Sequence, residues 1–282
     1  MAFSAPCDDS KMTARAAHFV QTSADTFLPT ENARSRWGPD HLNGPALVGL
    51  AARTIEARFG LDEFMPARLT VDLFKAARAV PTTATARLIR DGRRVRNSEC
   101  ELVQDGVVVA RAILVQYRRS SVPRGEEWSA TMDLPTPGAV DDSSHLTMGS
   151  DDGSWSPNIA DHQNTSRKRF RNRAVDVVEG VTNSPLVNAV YAAEGTSLVT
   201  NLGTAGIGYI NGDLTVALAR LPVDEWIYLQ ADSHWTADGI STGSATLYDR
   251  VGAFGTGVVT AVSNPAAQID FSDGAASVVE YL

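Results

Sequence analysis

The apolar positions of this chain keep two rhythms, and each rhythm occurs twice. Between residues 43 and 60, Leu47, Leu50, Ala51, Thr54, Ile55 and Arg58 recur at helical spacing and give one mostly apolar stripe. Asn43 or Gly44 can cap that helix, Pro45 suits its first turn and Gly60 ends it. A short strand over residues 18–21 precedes it, followed by Phe27-Leu28-Pro29-Thr30 and a loop rich in Arg, Gly, Pro and Asp. Four strand candidates come after the helix, over residues 68–75, 82–90, 95–104 and 107–117. Asp91-Gly92 and Asp105-Gly106 between them are hairpin signals.

Residues 120–160 break the pattern with Pro123, Pro135, Pro137, Pro157 and many Ser, Asp and Gly, and read as a connection with little regular structure. The pattern then starts again. A strand is expected over residues 169–178. Ser184-Pro185 opens a helix that carries Leu186, Val187, Val190, Tyr191 and Glu194 on one face and stops near Gly195. Strands are expected over 210–220, 225–235, 240–249 and 253–262, and an acidic, peripheral tail from Pro265. An offset of about 145 carries Leu69 onto Leu214 and Leu102 onto Leu247. Leu-Thr-Val occurs at both 69–71 and 214–216, and Asp213 stands where the first copy has Arg68. The expected architecture is α+β, one unit written twice: residues 1–120, a linker over 121–160, and residues 161–282.

Composition narrows the function. A net charge of −8 over 282 residues argues against general nucleic-acid binding, because a phosphate backbone needs a basic surface. No apolar run reaches the roughly 18 residues of a membrane span, and the first residues do not read as a signal peptide. Cys7 and Cys100 form no CxxC pair, and His18, His41, His145, His162 and His234 show no metal spacing. A cytoplasmic protein without metal or cofactor is the expectation.

Specific stretches resemble the thioesterase-like superfamily, in particular double-hotdog proteins related to acyl-CoA thioesterase II. They are Phe27-Leu28-Pro29-Thr30 with Trp37, Asn43-Gly44-Pro45, Arg68-Leu69-Thr70-Val71-Asp72-Leu73 and Ile89-Arg90-Asp91-Gly92-Arg93-Arg94 in the first half. In the second half they are Ile210-Asn211-Gly212-Asp213-Leu214-Thr215-Val216, Glu225-Trp226 and Ser244-Ala245-Thr246-Leu247-Tyr248-Asp249. The resemblance implies two tandem hotdog units, each a long helix wrapped by a curved antiparallel sheet. It implies hydrolysis of a fatty acyl-CoA by an activated water, in lipid metabolism, by a cofactor-free homo-oligomer. It also implies an Asp at the start of a second-half strand, a Ser or Thr on the next strand and a Gln on the last. Asp213 matches the first and Ser233 the second, whereas Val259 stands where the Gln is expected. Val cannot hydrogen-bond, so either Thr256 or Thr260 substitutes or activity is weakened or lost.

The residues make that chemistry reasonable. A thiolate leaves easily, a carboxylate can serve as base for water, and an N–H at a helix start can hold a developing oxyanion. Asn43-Gly44 is such a helix start. The two basic runs, Arg87 to Arg96 and Arg167 to Arg173, could meet phosphates but read first as solvated faces. A non-catalytic acyl- or CoA-binding protein that lost the Gln function at Val259 is the alternative, and a structural oligomer partner a third. Gly239-Ile240-Ser241-Thr242-Gly243 fits the pattern of a serine-hydrolase elbow, but it leads into a strand and no His follows Ser241. A hydratase would pair Asp213 with a nearby His, which the strand lacks.

Overall fold

In a computed structural model, the described residues are 15–38, 40–130, 134 and 144–272. The acidic tail beyond 272, Cys7 and the chain start lie outside them. The first half contains β1 (Ala17–Gln21), β2 (Thr26–Pro29), α1 (Gly44–Phe59), β3 (Phe64–Leu73), β4 (Thr82–Asp91), β5 (Val95–Gln104) and β6 (Val107–Arg118). The second contains β7 (Leu146–Ser150), β8 (Gly153–Ser156), β9 (Lys168–Arg173), β10 (Asp176–Val178), α2 (Pro185–Glu194), α3 (Thr196–Asn201), β11 (Leu202–Gly203) and β12 (Gly206–Ile207). It continues with β13 (Tyr209–Asn211), β14 (Asp213–Leu218), β15 (Trp226–Ala237), β16 (Ile240–Asp249) and β17 (Gly252–Ser263).

Three differences from the sequence reading have physical causes. Part of the connection expected over 120–160 is the hairpin β7–β8, whose first strand pairs with β9. Leu146 and Met148 are buried there, so the sheet supplies the partner that local composition did not reveal. The second-half helix stops at Gly195 as expected, but a further short helix, α3, follows it and fits closely over the sheet because β16 and β17 carry glycines beneath it. A β-carbon at Gly243 would strike Thr200, and one at Gly257 would strike Thr196. The basic run over 167–173 is not a solvated face: Lys168, Arg169 and Arg171 are buried. Lys168 donates to the carbonyls of Asn164 and Ser166, Arg169 pairs with Asp151, and Arg171 and Arg173 lie over the Trp226 ring.

Among the described residues, fifteen strands form one sheet, and the halves meet where β3 pairs antiparallel with β14. Thr70 lies opposite Thr215 in that ladder, and their hydroxyls are 3.1 Å apart. These two residues are 145 apart in sequence, the spacing of the internal repeat, so an approximate two-fold relation between the halves passes between them. α1 packs on β4, β5 and β6, while α2 and α3 pack on β15, β16 and β17. The helices also pack on each other, with the start of α1 at the end of α2 and the end of α1 at the start of α2. Leu47, Leu50, Ala51 and Ile55 of α1 and Leu186, Val187, Val190 and Tyr191 of α2 are all buried, as their periodicity predicts.

Candidate active site

The start of α1 is built to leave one donor over. A helix has four first-turn N–H groups with no partner inside it. The Asn43 N–H donates to the Ala33 carbonyl (2.8 Å), Pro45 has none, and the Ala46 N–H donates to Asn43 Oδ1 (2.8 Å). Gly44 keeps the remaining N–H, at the positive end of the helix dipole. The Asn43 amide is fully used: its Nδ2 donates to the carbonyls of Asn32 (3.0 Å) and Arg34 (3.3 Å), tying the preceding loop to the helix. Of the two residues expected at the oxyanion position, Gly44 faces a cavity with a donor to spare, whereas Asn43 acts as cap and brace.

That cavity has a volume of about 370 Å³. Trp37, Leu47, Leu73, Leu198, Ile210 and Val262 give it apolar walls. Glu194, Asn211 and Ser197 supply the polar side chains nearest the helix start, and His41 and Lys75 also line it. Glu194, the last residue of α2, is only 7% exposed. Its Oε1 accepts one long hydrogen bond from Asn211 Nδ2 (3.4 Å). It occupies the space a side chain at position 44 would need, since a β-carbon on Gly44 would collide with Oε1. Burial pushes the Glu194 carboxyl up to about 8, and the Asn211 contact offsets that only in part.

Asp213 is close in sequence to this cavity but on the other face of the sheet. Asn211 pairs with Ala261 of β17, whereas Thr215 pairs with Val258, so the register slips by one residue across Gly212. A one-residue slip exchanges the faces of a strand. Asn211 therefore reaches Glu194, while Leu214, Val216 and Leu218 turn to the core and Asp213 turns away from it. The Asp213 carboxylate accepts from the Thr260 N–H (2.7 Å) and from Thr260 Oγ1 (2.6 Å). Thr260, one of the two substitutes the sequence suggested, is thus its partner. Val259 is fully buried on the opposite face, and Thr256 donates instead to the Ala245 carbonyl.

Ser233 lies on β15, separated from β14 by β17 and β16, so about 14 Å of sheet divides it from the strand of Asp213. Its hydroxyl is 2.7 Å from that of Ser244, and it lines a separate cavity of about 550 Å³ with Lys168 and Thr200. The geometry does not bring Asp213, Ser233 and Val259 together. It gathers Gly44, Glu194 and Asn211 instead. Ser241, in the rival motif, is buried in β16 and donates to Asn201 Oδ1 (2.8 Å). No cluster of metal-ligating side chains occurs among the described residues, and none of their helices is long and apolar enough to cross a membrane.

Two family models match the chain: an acyl-CoA thioesterase N-terminal domain over residues 33–117 and an acyl-CoA thioesterase C-terminal domain over residues 118–261. No curated protein matches it in sequence. Among solved structures, it is similar to a tesB protein of Mycobacterium avium subsp. paratuberculosis, with 14% identity, TM-score 0.62, and 88% of this chain and 96% of that one covered. A protein of unknown function with a hot dog fold from Alicyclobacillus acidocaldarius gives 16% identity, TM-score 0.60, and coverage of 88% and 97%. The acyl-CoA thioesterase II of Mycobacterium marinum gives 15%, 0.57, and coverage of 87% and 95%. At these identities the likeness is one of fold, and the fold is of the hotdog type.

Proposed function

This chain belongs to the acyl-CoA thioesterase family, and on that premise we propose that it hydrolyses acyl-CoA thioesters, with the reacting carbonyl at the start of α1. We read its halves as two tandem hotdog units, which associate further into a homo-oligomer. The observation that carries the functional reading is the Gly44 N–H left over at a helix start, on a 370 Å³ cavity with apolar walls. The thioester oxygen accepts from that N–H, and the donor strengthens its hold as negative charge develops on the oxygen. The acyl chain lies against Leu47, Leu198 and Ile210. The reaction needs no cofactor, because water is the nucleophile and the thiolate a good leaving group.

A second reading has its own support. Val259 is apolar, and both carboxylate oxygens of Asp213 are already engaged by Thr260, which fits a chain that binds acyl-CoA without cleaving it. Free-thiol release from acetyl-, hexanoyl- and palmitoyl-CoA separates the two. Steady release supports the hydrolase. Binding of the same esters by a folded protein that releases no thiol sinks it and leaves the binding protein.

A further inference from the structure

The family resemblance assigns water activation to Asp213, yet that carboxylate faces away from the cavity and is held by the Thr260 N–H and hydroxyl. The carboxylate in the cavity is Glu194. It ends α2, is 93% buried by the 7% exposure of its residue, and fills the side-chain space that Gly44 leaves at the start of α1. A single 3.4 Å contact to Asn211 is the hydrogen bond its oxygens make among the described residues. A buried carboxyl with so little compensation is costly to the fold, and such groups cluster at functional sites.

Resting on the hydrolase reading above, we propose that Glu194 is the general base of this site, with Asn211 its positioning residue and Gly44 the oxyanion donor. The ionised Glu194 takes a proton from water, and the water oxygen bonds to the thioester carbon. The carbonyl π pair moves onto oxygen, where the Gly44 N–H holds it. When the tetrahedral intermediate collapses, the carbon–sulfur bond breaks and the sulfur leaves with the bonding pair. It takes the proton from Glu194, giving the CoA thiol and restoring the carboxylate. The acid product then loses its own proton to solvent. One water is consumed per thioester, and no oxidant, metal or further reactant is needed.

The assignment fits the surroundings of Glu194. The first turn of α1 contains no acidic residue, so the helix start favours a neighbouring negative charge without competition. Besides Glu194, the titratable side chains on the cavity wall among the described residues are His41 and Lys75; Tyr191, one turn earlier on α2, is within electrostatic reach of Glu194, with its hydroxyl beside His18. Tyr191 is itself pushed upward by burial, and stays neutral through the range in which Glu194 ionises. Asn211 adds a signal the sequence alone did not give: the slip at Gly212 brings an amide to the carboxylate instead of a second acid.

The test compares wild type, Glu194→Gln, Glu194→Asp, Asn211→Ala and Asp213→Asn. It measures thiol release from hexanoyl-CoA between pH 6 and 10, with binding of hexanoyl-CoA and Tm determined in parallel. The expected results are a wild-type kcat that rises to a plateau with a midpoint near 8, and a drop of 10²–10⁴-fold in Glu194→Gln with KM and Tm kept. Glu194→Asp recovers part of the rate, Asn211→Ala shifts the midpoint, and Asp213→Asn stays within a few-fold of wild type. An active Glu194→Gln, or loss of activity in Asp213→Asn alone, overturns the assignment and leaves the hydrolase standing. A wild type that binds hexanoyl-CoA but releases no thiol overturns the hydrolase reading and this assignment with it.

Discussion

α1 and α2 each begin against a glutamate of the other, and the two junctions differ. At the start of α1 the sequence is Asn43-Gly44-Pro45, Glu194 is opposite, and the space beside them is about 370 Å³. At the start of α2 the sequence is Asn183-Ser184-Pro185, and Glu56 is opposite. There the Ser184 hydroxyl donates directly to Glu56 and also caps the Val187 N–H. Asn183 is spent on the backbone of Val175 and Val177. Both glutamates are raised by burial, but only Glu56 has a hydroxyl to satisfy it. One hydroxymethyl group separates a junction sealed by a hydroxyl–carboxylate hydrogen bond from one that opens on a cavity.

The largest effect should come from copying the sealed junction onto the open one. Gly44→Ser puts a side chain where Glu194 Oε1 now lies. Thiol release should fall at least about 100-fold, because the new side chain displaces Glu194 and crowds the place of the thioester beside the retained N–H, with the far-UV spectrum unchanged. Activity near wild type would mean that the cavity is not where hydrolysis occurs.

Next in size is the pH dependence of stability. Glu194 is raised from 4.5 to about 8 in the folded protein, so its uncharged form favours the native state. That contribution is complete below 4.5 and is lost as pH rises through 8, at about 1.4 kcal/mol per unit. His18, fully buried between the Asn32 carbonyl and the Tyr191 hydroxyl, is lowered from 6.5 to about 4 and has the opposite sign. Its neutral form favours the native state, so that contribution is lost as pH falls from 6.5 toward 4. The two oppose each other between 4.5 and 6.5, and between 6.5 and 8 His18 no longer offsets Glu194. In that window denaturant unfolding should show stability falling with pH in wild type and a flatter line in Glu194→Gln.

Ser184→Ala tests the sealed junction and should cost about 1–2 kcal/mol from the lost cap and the unpaired Glu56, read as a lower Tm, with thiol release kept. The smallest effect expected is that of Thr260→Val. It removes the hydroxyl but not the N–H that Asp213 accepts from, and should lower stability by about 1 kcal/mol with kcat within two-fold of wild type.

Most of the architecture was legible because it rests on periodicity. α1 runs from its Asn43 cap to Gly60, α2 opens at Ser184, and the strand pairs 82–91 with 95–104 and 95–104 with 107–118 form the hairpins that Asp91-Gly92 and Asp105-Gly106 announce. Alternation could not reveal the slip at Gly212. It moves Asp213 from one face to the other without changing the composition of the strand, and register depends on β17. Glu194 was visible but unread. It falls on the apolar stripe of α2, three residues after Tyr191, and a carboxylate on a buried stripe is itself a signal of function. The buried basic strand β9 was hidden for another reason: its partners Asp151, Asn164 and Trp226 come from three separate stretches.

The pairing centred on Thr70 and Thr215 also bears on ancestry. In this ladder Arg68 faces Ala217, and Asp72 faces Asp213, two carboxylates side by side at the end of the joined strands. Thr260 supplies the N–H and hydroxyl that make this tolerable. Pair β3 with a copy of itself about the same centre, and Arg68 would face Asp72 on both sides, each charge answered by its opposite. The edge of the first half is thus self-complementary, as a strand at the heart of a symmetric dimer must be. The second half is not, since Asp213 would face only Ala217. Such a strand is what a fusion of two identical subunits into one chain would leave, with only one copy released from matching itself. The freed copy could then change at Gly212 and Asp213 without spoiling both sites at once.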